Sequence, residues 1–232
     1  NGSLMEDRTI PEDSDDFSCP SIFSDSDHLI EPPPAGMEPV TLTRPAVEVS
    51  DISFSYPHSE KGLLKDVNFV LNPGEVLVVR GSNGSGKTTL LHLLAGRLRP
   101  SRGSIRVCGM PPREIPIECR SEVCGLLFQD PEHHILKDTV GGEIYSAVPI
   151  ESRMNPIYMK RFDWIKSIFA LPSRSCDPHI ASRGQKKIIA FVTALISAPH
   201  LLLLDEPELG LDPIQRNKII RILEMVQRYW GI

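Results

Sequence analysis

Apolar and polar positions alternate along Val47 to Tyr56 (VEVSDISFSY), the pattern of a half-buried strand. The stretch KDVNFVLNPGE predicts a second strand closed by a Pro-Gly turn, so an antiparallel layer is expected at the N-terminal side. Val76 to Arg80 (VLVVR) is a continuous apolar run that predicts a buried parallel strand. The leucines of TTLLHLLAGRL then recur at helical spacing. SIRVCGM and EVCGLLFQD predict two further strands, and the span from Val140 to about Cys176 reads mainly as helix, with MKRFDWIKSIFAL amphipathic.

SRGQKKIIAFVTALIS predicts a long helix and LLLLDEP a buried strand entering an acidic loop. Asp212 as N-cap with Pro213 at the first helical position predicts the start of a last helix, IQRNKIIRILEMVQRYW. Strands alternating with helices imply an α/β domain with a mostly parallel sheet covered on both faces.

Charge changes this picture only at the N-terminus. Asn1 to Pro39 holds ten Asp or Glu against one Arg, a net of −9 that leaves +4 for the remaining 193 residues. With Asp, Ser and Pro dominating, such a segment buries too little apolar surface to offset its chain entropy. Residues 1–45 are therefore expected to be a disordered acidic, Pro-rich tail or linker, and 46–232 the folded domain. The five cysteines (Cys19, Cys108, Cys119, Cys124, Cys176) form no CxxC pair, which fits reduced thiols better than a disulfide framework. No apolar run reaches the roughly 18 to 20 residues of a bilayer span, so contact with a membrane is expected only through partners.

The chemistry concentrates in two segments. Gly81 to Thr89 (GSNGSGKTT) matches G-x-x-x-x-G-K-[ST] between a predicted strand and a predicted helix, the context that phosphate-binding loop requires. Backbone N–H groups of Gly81, Ser82, Asn83, Gly84, Ser85 and Gly86 can turn towards phosphate oxygens, aided by the helix dipole. Lys87 would reach the β- and γ-phosphates of ATP, Thr88 would offer a hydroxyl to Mg²⁺, and Thr89 would hold the α-phosphate. In LLLLDEP, Asp205 ends an apolar strand, where a carboxylate is costly without a cationic or donor partner; Mg²⁺ is that partner. Glu206 is the candidate general base for the attacking water.

With these motifs the chain resembles an ABC-family nucleotide-binding domain over about Val47 to Ile232. The resemblance implies a P-loop NTPase fold with a mostly parallel sheet core, an antiparallel β layer and a helical subdomain at about residues 140–185. It implies that Tyr56 stacks on adenine and that Gln129 (LLFQD) is the glutamine-loop residue, reaching Mg²⁺ or water. ASRGQKK at Ala181 to Lys187 stands where the family has LSGGQ, keeping Ser182, Gly184 and Gln185 and replacing Leu by Ala181 and Gly by Arg183. Glu208 to Asp212 resembles the D-loop. By the family pattern, the switch histidine belongs to a strand after the last helix, a role that neither His200 nor any other histidine takes here.

Further implications concern partners. The family works as a head-to-tail pair of ATPase domains, in a homodimer, heterodimer or tandem fusion, each signature closing on the γ-phosphate bound by the other. FQDPEHHILKDTVGGEI resembles the corresponding segment of energy-coupling-factor and cobalt-type importer ATPases. That implies a transmembrane scaffold subunit, a substrate-binding membrane subunit, vitamin or transition-metal cargo, and a cytoplasmic position on the inner face of the membrane. Two other readings stay open: a soluble ABC ATPase acting on nucleic acid or ribosomes, and a weakly hydrolysing, ATP-dependent interaction domain. Nucleic acid is not expected as a partner, because the mild +4 lacks interleaved aromatics.

Overall fold

A computed structural model describes residues 31–33, 36, 42–57, 62–130 and 135–232. The tail assigned to 1–45 therefore lies mostly outside the described residues, as do positions 131–134 of the loop after Gln129. One described piece of the tail is anchored: the Trp164 indole donates to the Glu31 carbonyl at 3.0 Å.

The antiparallel layer is present. Strands β1 (Val47–Phe54), β2 (Leu64–Leu71) and β3 (Arg102–Val107) pair in the order β2-β1-β3, with Val47 opposite both Leu71 and Val107. Val47, Val49, Ile52 and Phe54 are buried. They pack with Leu90, Leu93 and Leu94 of helix α1 (Lys87–Leu94) in one apolar cluster.

A short helix α2 (Arg120–Val123) leads into β4 (Cys124–Leu127), which pairs in parallel with β5 (Leu201–Leu204), Leu127 opposite Leu204. Around this pair pack α3 (Val140–Ser146), α4 (Pro156–Ile168), α5 (Arg183–Leu195) and α6 (Pro213–Trp230), forming a second cluster centred on Ile144, Phe162, Ile189 and Ile222. Helix α5 lies hard against β4: a Cβ at Gly125 would stand 2.2 Å from the Ala194 carbonyl oxygen. Only glycine permits that approach.

Helix starts follow their side chains. Asn155 and Asp212 accept from the N–H groups of Ile157 and Gln215, each followed by proline at the first helical position. In α6, Ile219, Ile222, Val226 and Trp230 form the buried stripe of an amphipathic helix.

One expected strand differs. Val76 to Arg80 runs outside both sheets, and Val76 and Val78 are 64% and 56% exposed. An apolar run becomes a buried strand only when neighbours pair with both its edges. Among the described residues β4 and β5 pair with each other, and no strand flanks 76–80. The parallel part of the sheet is accordingly this two-stranded pair.

Candidate functional site

The phosphate-binding loop joins the Val76–Arg80 segment to α1. Gly84 and Gly86 lie at φ 82° and 100°, a left-handed backbone that favours glycine, and at Gly86 a Cβ would also strike the Leu64 side chain at 2.9 Å. Gly86 caps α1 without any side-chain hydrogen bond. The first N–H groups of the helix thus face the loop rather than a side-chain acceptor. Within it, Lys87 Nζ donates to the carbonyls of Gly81 (2.7 Å) and Ser82 (2.9 Å). The Ser85 hydroxyl is buried without a hydrogen-bond partner. An uncapped helix start, an orphaned hydroxyl and a lysine curled onto loop carbonyls form a donor set suited to a polyphosphate.

Asp205 comes to the same place from the other side. It follows β5, its N–H donates to the Leu127 carbonyl at 2.8 Å, and it is 6% exposed. Its carboxylate accepts from the Thr88 hydroxyl at 2.7 Å. Hydroxyl plus carboxylate is a hard oxygen pair of the kind Mg²⁺ takes together with phosphate oxygens and water. Such a site needs no protein cage, and among the described residues no group of three or more His, Cys, Asp or Glu could hold a metal alone.

Glu206, exposed at φ 48°, accepts at Oε2 from Gln129 Nε2 at 2.8 Å. Tyr56 stands beside the loop, its hydroxyl 3.1 Å from Thr89 Oγ1 and its ring edge-on to Phe54 at 4.9 Å. Its exposure of 44% leaves ring surface free to stack. Thr88 with Asp205, Thr89 with Tyr56 and Gln129 with Glu206 are thus three hydrogen-bonded pairs, and Lys87 is held by the carbonyls of the loop itself.

The signature residues are organised differently. Ser182 caps α5 by accepting from the Gln185 N–H, and the Gln185 side chain accepts in turn from the Ser182 N–H at 3.0 Å. This capping box engages Ser182 and Gln185 with each other. Arg183 is exposed, and a Cβ at Gly184 would meet Gln215 at 3.2 Å, so α5 and α6 approach closely there. Leu211 is buried, Asp212 caps α6, and Glu208 pairs with Arg216 at 3.6 Å.

Two features escaped sequence reasoning. Lys187 is 2% exposed, and its ammonium donates to the carbonyls of Glu206 (2.5 Å) and Leu209 (2.8 Å). Burial lowers its pKa, opposed mainly by the nearby Glu206 carboxylate. The available signal was a lysine on the apolar stripe of α5, four residues before Phe191. The second feature is His92, which stacks on Phe128 at 4.6 Å while Arg97 covers the same ring at 4.2 Å. Burial, then the Arg97 charge, hold its pKa below the usual value.

His200 lies at the opposite end of β5 from Asp205, its N–H bonded to the Glu122 carbonyl. Glu143, on α3, is buried and accepts from the N–H groups of Leu136 and Lys137 at 2.8 and 2.9 Å, fixing the chain just after the undescribed residues 131–134. No helix among the described residues is long and apolar enough to cross a membrane.

The sequence matches the family model for ABC transporters over residues 64–208. A putative ABC transporter ATP-binding protein of Methanosarcina mazei is 31% identical over 190 residues, covering 81% of this chain and 58% of that protein. The energy-coupling factor transporter ATP-binding protein EcfA of Methanocaldococcus jannaschii is 33% identical over 181 residues, covering 76% of this chain and 64% of that one. The chain thus spans about three fifths of the length of these relatives. Among solved structures, CbiO1 of Clostridium perfringens, part of the ABC transporter complex CbiONQ, superposes with a TM-score of 0.66 at 31% identity, covering 81% of this chain and 76% of that one. With the phosphate-binding loop, the Asp205–Glu206 strand end and the signature at the head of α5, the chain belongs to the ABC transporter ATP-binding family.

Proposed function

We propose that this domain binds and hydrolyses ATP to energise a membrane importer of the energy-coupling-factor type. The observation that carries the reading is the 2.7 Å bond from Thr88 to Asp205, which joins the phosphate-binding loop to the acidic strand end, with Glu206 next in sequence and bonded to Gln129.

In this reading the N–H groups of residues 81–86 and the Lys87 ammonium hold the β- and γ-phosphates, Thr89 the α-phosphate, and Tyr56 the adenine. Thr88, Asp205 and Gln129 would hold Mg²⁺, which when bound neutralises developing charge on the phosphoryl oxygens. Lys87 leaves the carbonyls of Gly81 and Ser82 for the phosphate, a stronger acceptor. Glu206 takes the proton of the attacking water as its oxygen bonds to the γ-phosphorus; the bond to the bridging oxygen breaks, releasing ADP and phosphate. Gln129 keeps the Glu206 carboxylate turned towards that water.

Ser182, Gly184 and Gln185 act on the nucleotide of a second ATPase domain, because their helix start carries the donors that a γ-phosphate accepts. The active unit is then a head-to-tail pair on the inner face of the membrane, docked on a transmembrane scaffold and a substrate-binding subunit. The resemblance of the segment after Gln129 to energy-coupling-factor and cobalt-type importer ATPases points to vitamin or transition-metal cargo. Residues 46–232 make up the ATPase domain and 1–45 a tail or linker.

The test is phosphate release by the purified full polypeptide with Mg-ATP. Turnover that vanishes in Lys87→Ala supports the assignment, and turnover unaffected by that change sinks it.

A further inference from the structure

We propose that Lys187 is a positioning residue that mechanically joins the two half-sites carried by one subunit. Its helix, α5, presents Ser182, Gly184 and Gln185 at its start, while its ammonium holds the loop that carries Glu206. The inference rests on the reading of this site as an ATPase acting in head-to-tail pairs.

Lys187 is 2% exposed in a stretch of α5 that is buried all round, with Ile188, Ile189, Ala190, Phe191 and Val192 following it. An apolar side chain would fill that volume without having to satisfy a charge. What the ammonium adds is direction. It has three donors and no acceptor, and two of the donors are spent on the carbonyls of Glu206 and Leu209.

Glu206 depends on that grip. Its backbone sits at φ 48°, a region that L-residues occupy only when their surroundings over-determine it. Lys187 holds the carbonyl end of the residue, and Gln129 holds the carboxylate end at 2.8 Å. With both ends fixed, the direction of the candidate base is set. The second carbonyl, that of Leu209, precedes Gly210 at φ 79° and the buried Leu211, so the same ammonium also fixes the turn leading to α6.

Geometry supplies the coupling. Lys187 lies five positions beyond Ser182, about 7.5 Å along the helix axis. A helix is stiff over that length. When α5 shifts to meet the nucleotide of the second domain, Lys187 carries the shift to Glu206, and the base in one site responds to occupancy of the other.

The experiment compares wild-type, Lys187→Met and Lys187→Gln full-length proteins for ATP affinity, steady-state turnover and its Hill coefficient, at a temperature where each is folded by circular dichroism. Methionine keeps length and loses the donors, so turnover should fall roughly tenfold or more while ATP affinity holds within about twofold. The Hill coefficient should drop towards one. Glutamine keeps an N–H donor and should recover part of both losses. It also serves as the probe if the methionine variant does not fold.

Wild-type turnover and Hill coefficient in either folded variant would overturn the assignment, even with a lowered melting temperature. So would a loss confined to ATP affinity. Wild-type protein that turns over no ATP would overturn the ATPase reading and this assignment with it, whereas active wild-type with unchanged variants overturns this assignment alone.

Discussion

The Thr88 hydroxyl and the Asp205 carboxylate meet at 2.7 Å although 117 positions separate them. Thr88 lies on α1 and Asp205 follows β5, whose buried Leu201 and Leu203 pack in one apolar cluster with Leu90, Leu93 and Leu94 of α1, so shared packing brings the hydroxyl and the carboxylate together. The groups that meet there come from elements that share no local sequence.

Asp205→Asn keeps the shape of that contact and removes its charge. A charge-assisted bond contributes about 1.5–3 kcal/mol, so the Mg²⁺ dependence of ATP binding should weaken roughly 10- to 100-fold. Titrating Mg²⁺ at fixed nucleotide with a fluorescent ATP analogue measures this. An unchanged midpoint would remove Asp205 from the metal site.

Glu206→Gln should separate binding from chemistry. Loss of a general base costs roughly 10²- to 10⁴-fold in turnover, while nucleotide affinity should stay near wild type. With ATP held but not hydrolysed, a two-domain species should accumulate in light scattering of the full polypeptide. Normal phosphate release by this variant would rule out Glu206 as the base.

Asp205 and Glu206, like Lys87 and Thr88, stand out in the sequence because phosphate and metal chemistry demands particular residue types in particular patterns. The antiparallel layer was legible from its alternation, α5 from its helical pattern, and the start of α6 from Asp212. Val76 to Arg80 misled because an apolar run reports a preference for burial, and burial also needs flanking strands, which its own residues do not encode. Lys187 stayed hidden for a related reason: its partners are backbone carbonyls 19 and 22 residues downstream. Carbonyls leave no residue-type signal. Arg183, the substitution in the signature, is exposed, a property that its residue type alone does not decide.

Gly125→Ala tests the packing of the helical core on the parallel pair. The added methyl would stand 2.2 Å from the Ala194 carbonyl oxygen, so α5 or β4 must shift. Overpacking of this kind costs about 1–3 kcal/mol. Urea denaturation should show a lowered midpoint with little change in slope, and a midpoint equal to wild type would mean that the helix yields freely.

The last expectation concerns acid. Burial holds the His200 pKa below its ordinary 6.5, with the Glu122 charge opposing it, and burial and Arg97 lower that of His92. In both, the folded state binds the proton less readily than the unfolded chain, so between the folded value and 6.5 the unfolded state carries more protons. Stability therefore rises with pH across that window. The histidine contribution is complete above 6.5 and is lost as pH falls through the folded values. Denaturation midpoints measured from pH 7.5 to about 5.5 should decline, and His200→Asn, which cannot titrate, should flatten part of the decline. A variant with the full wild-type slope would assign the pH dependence to other groups.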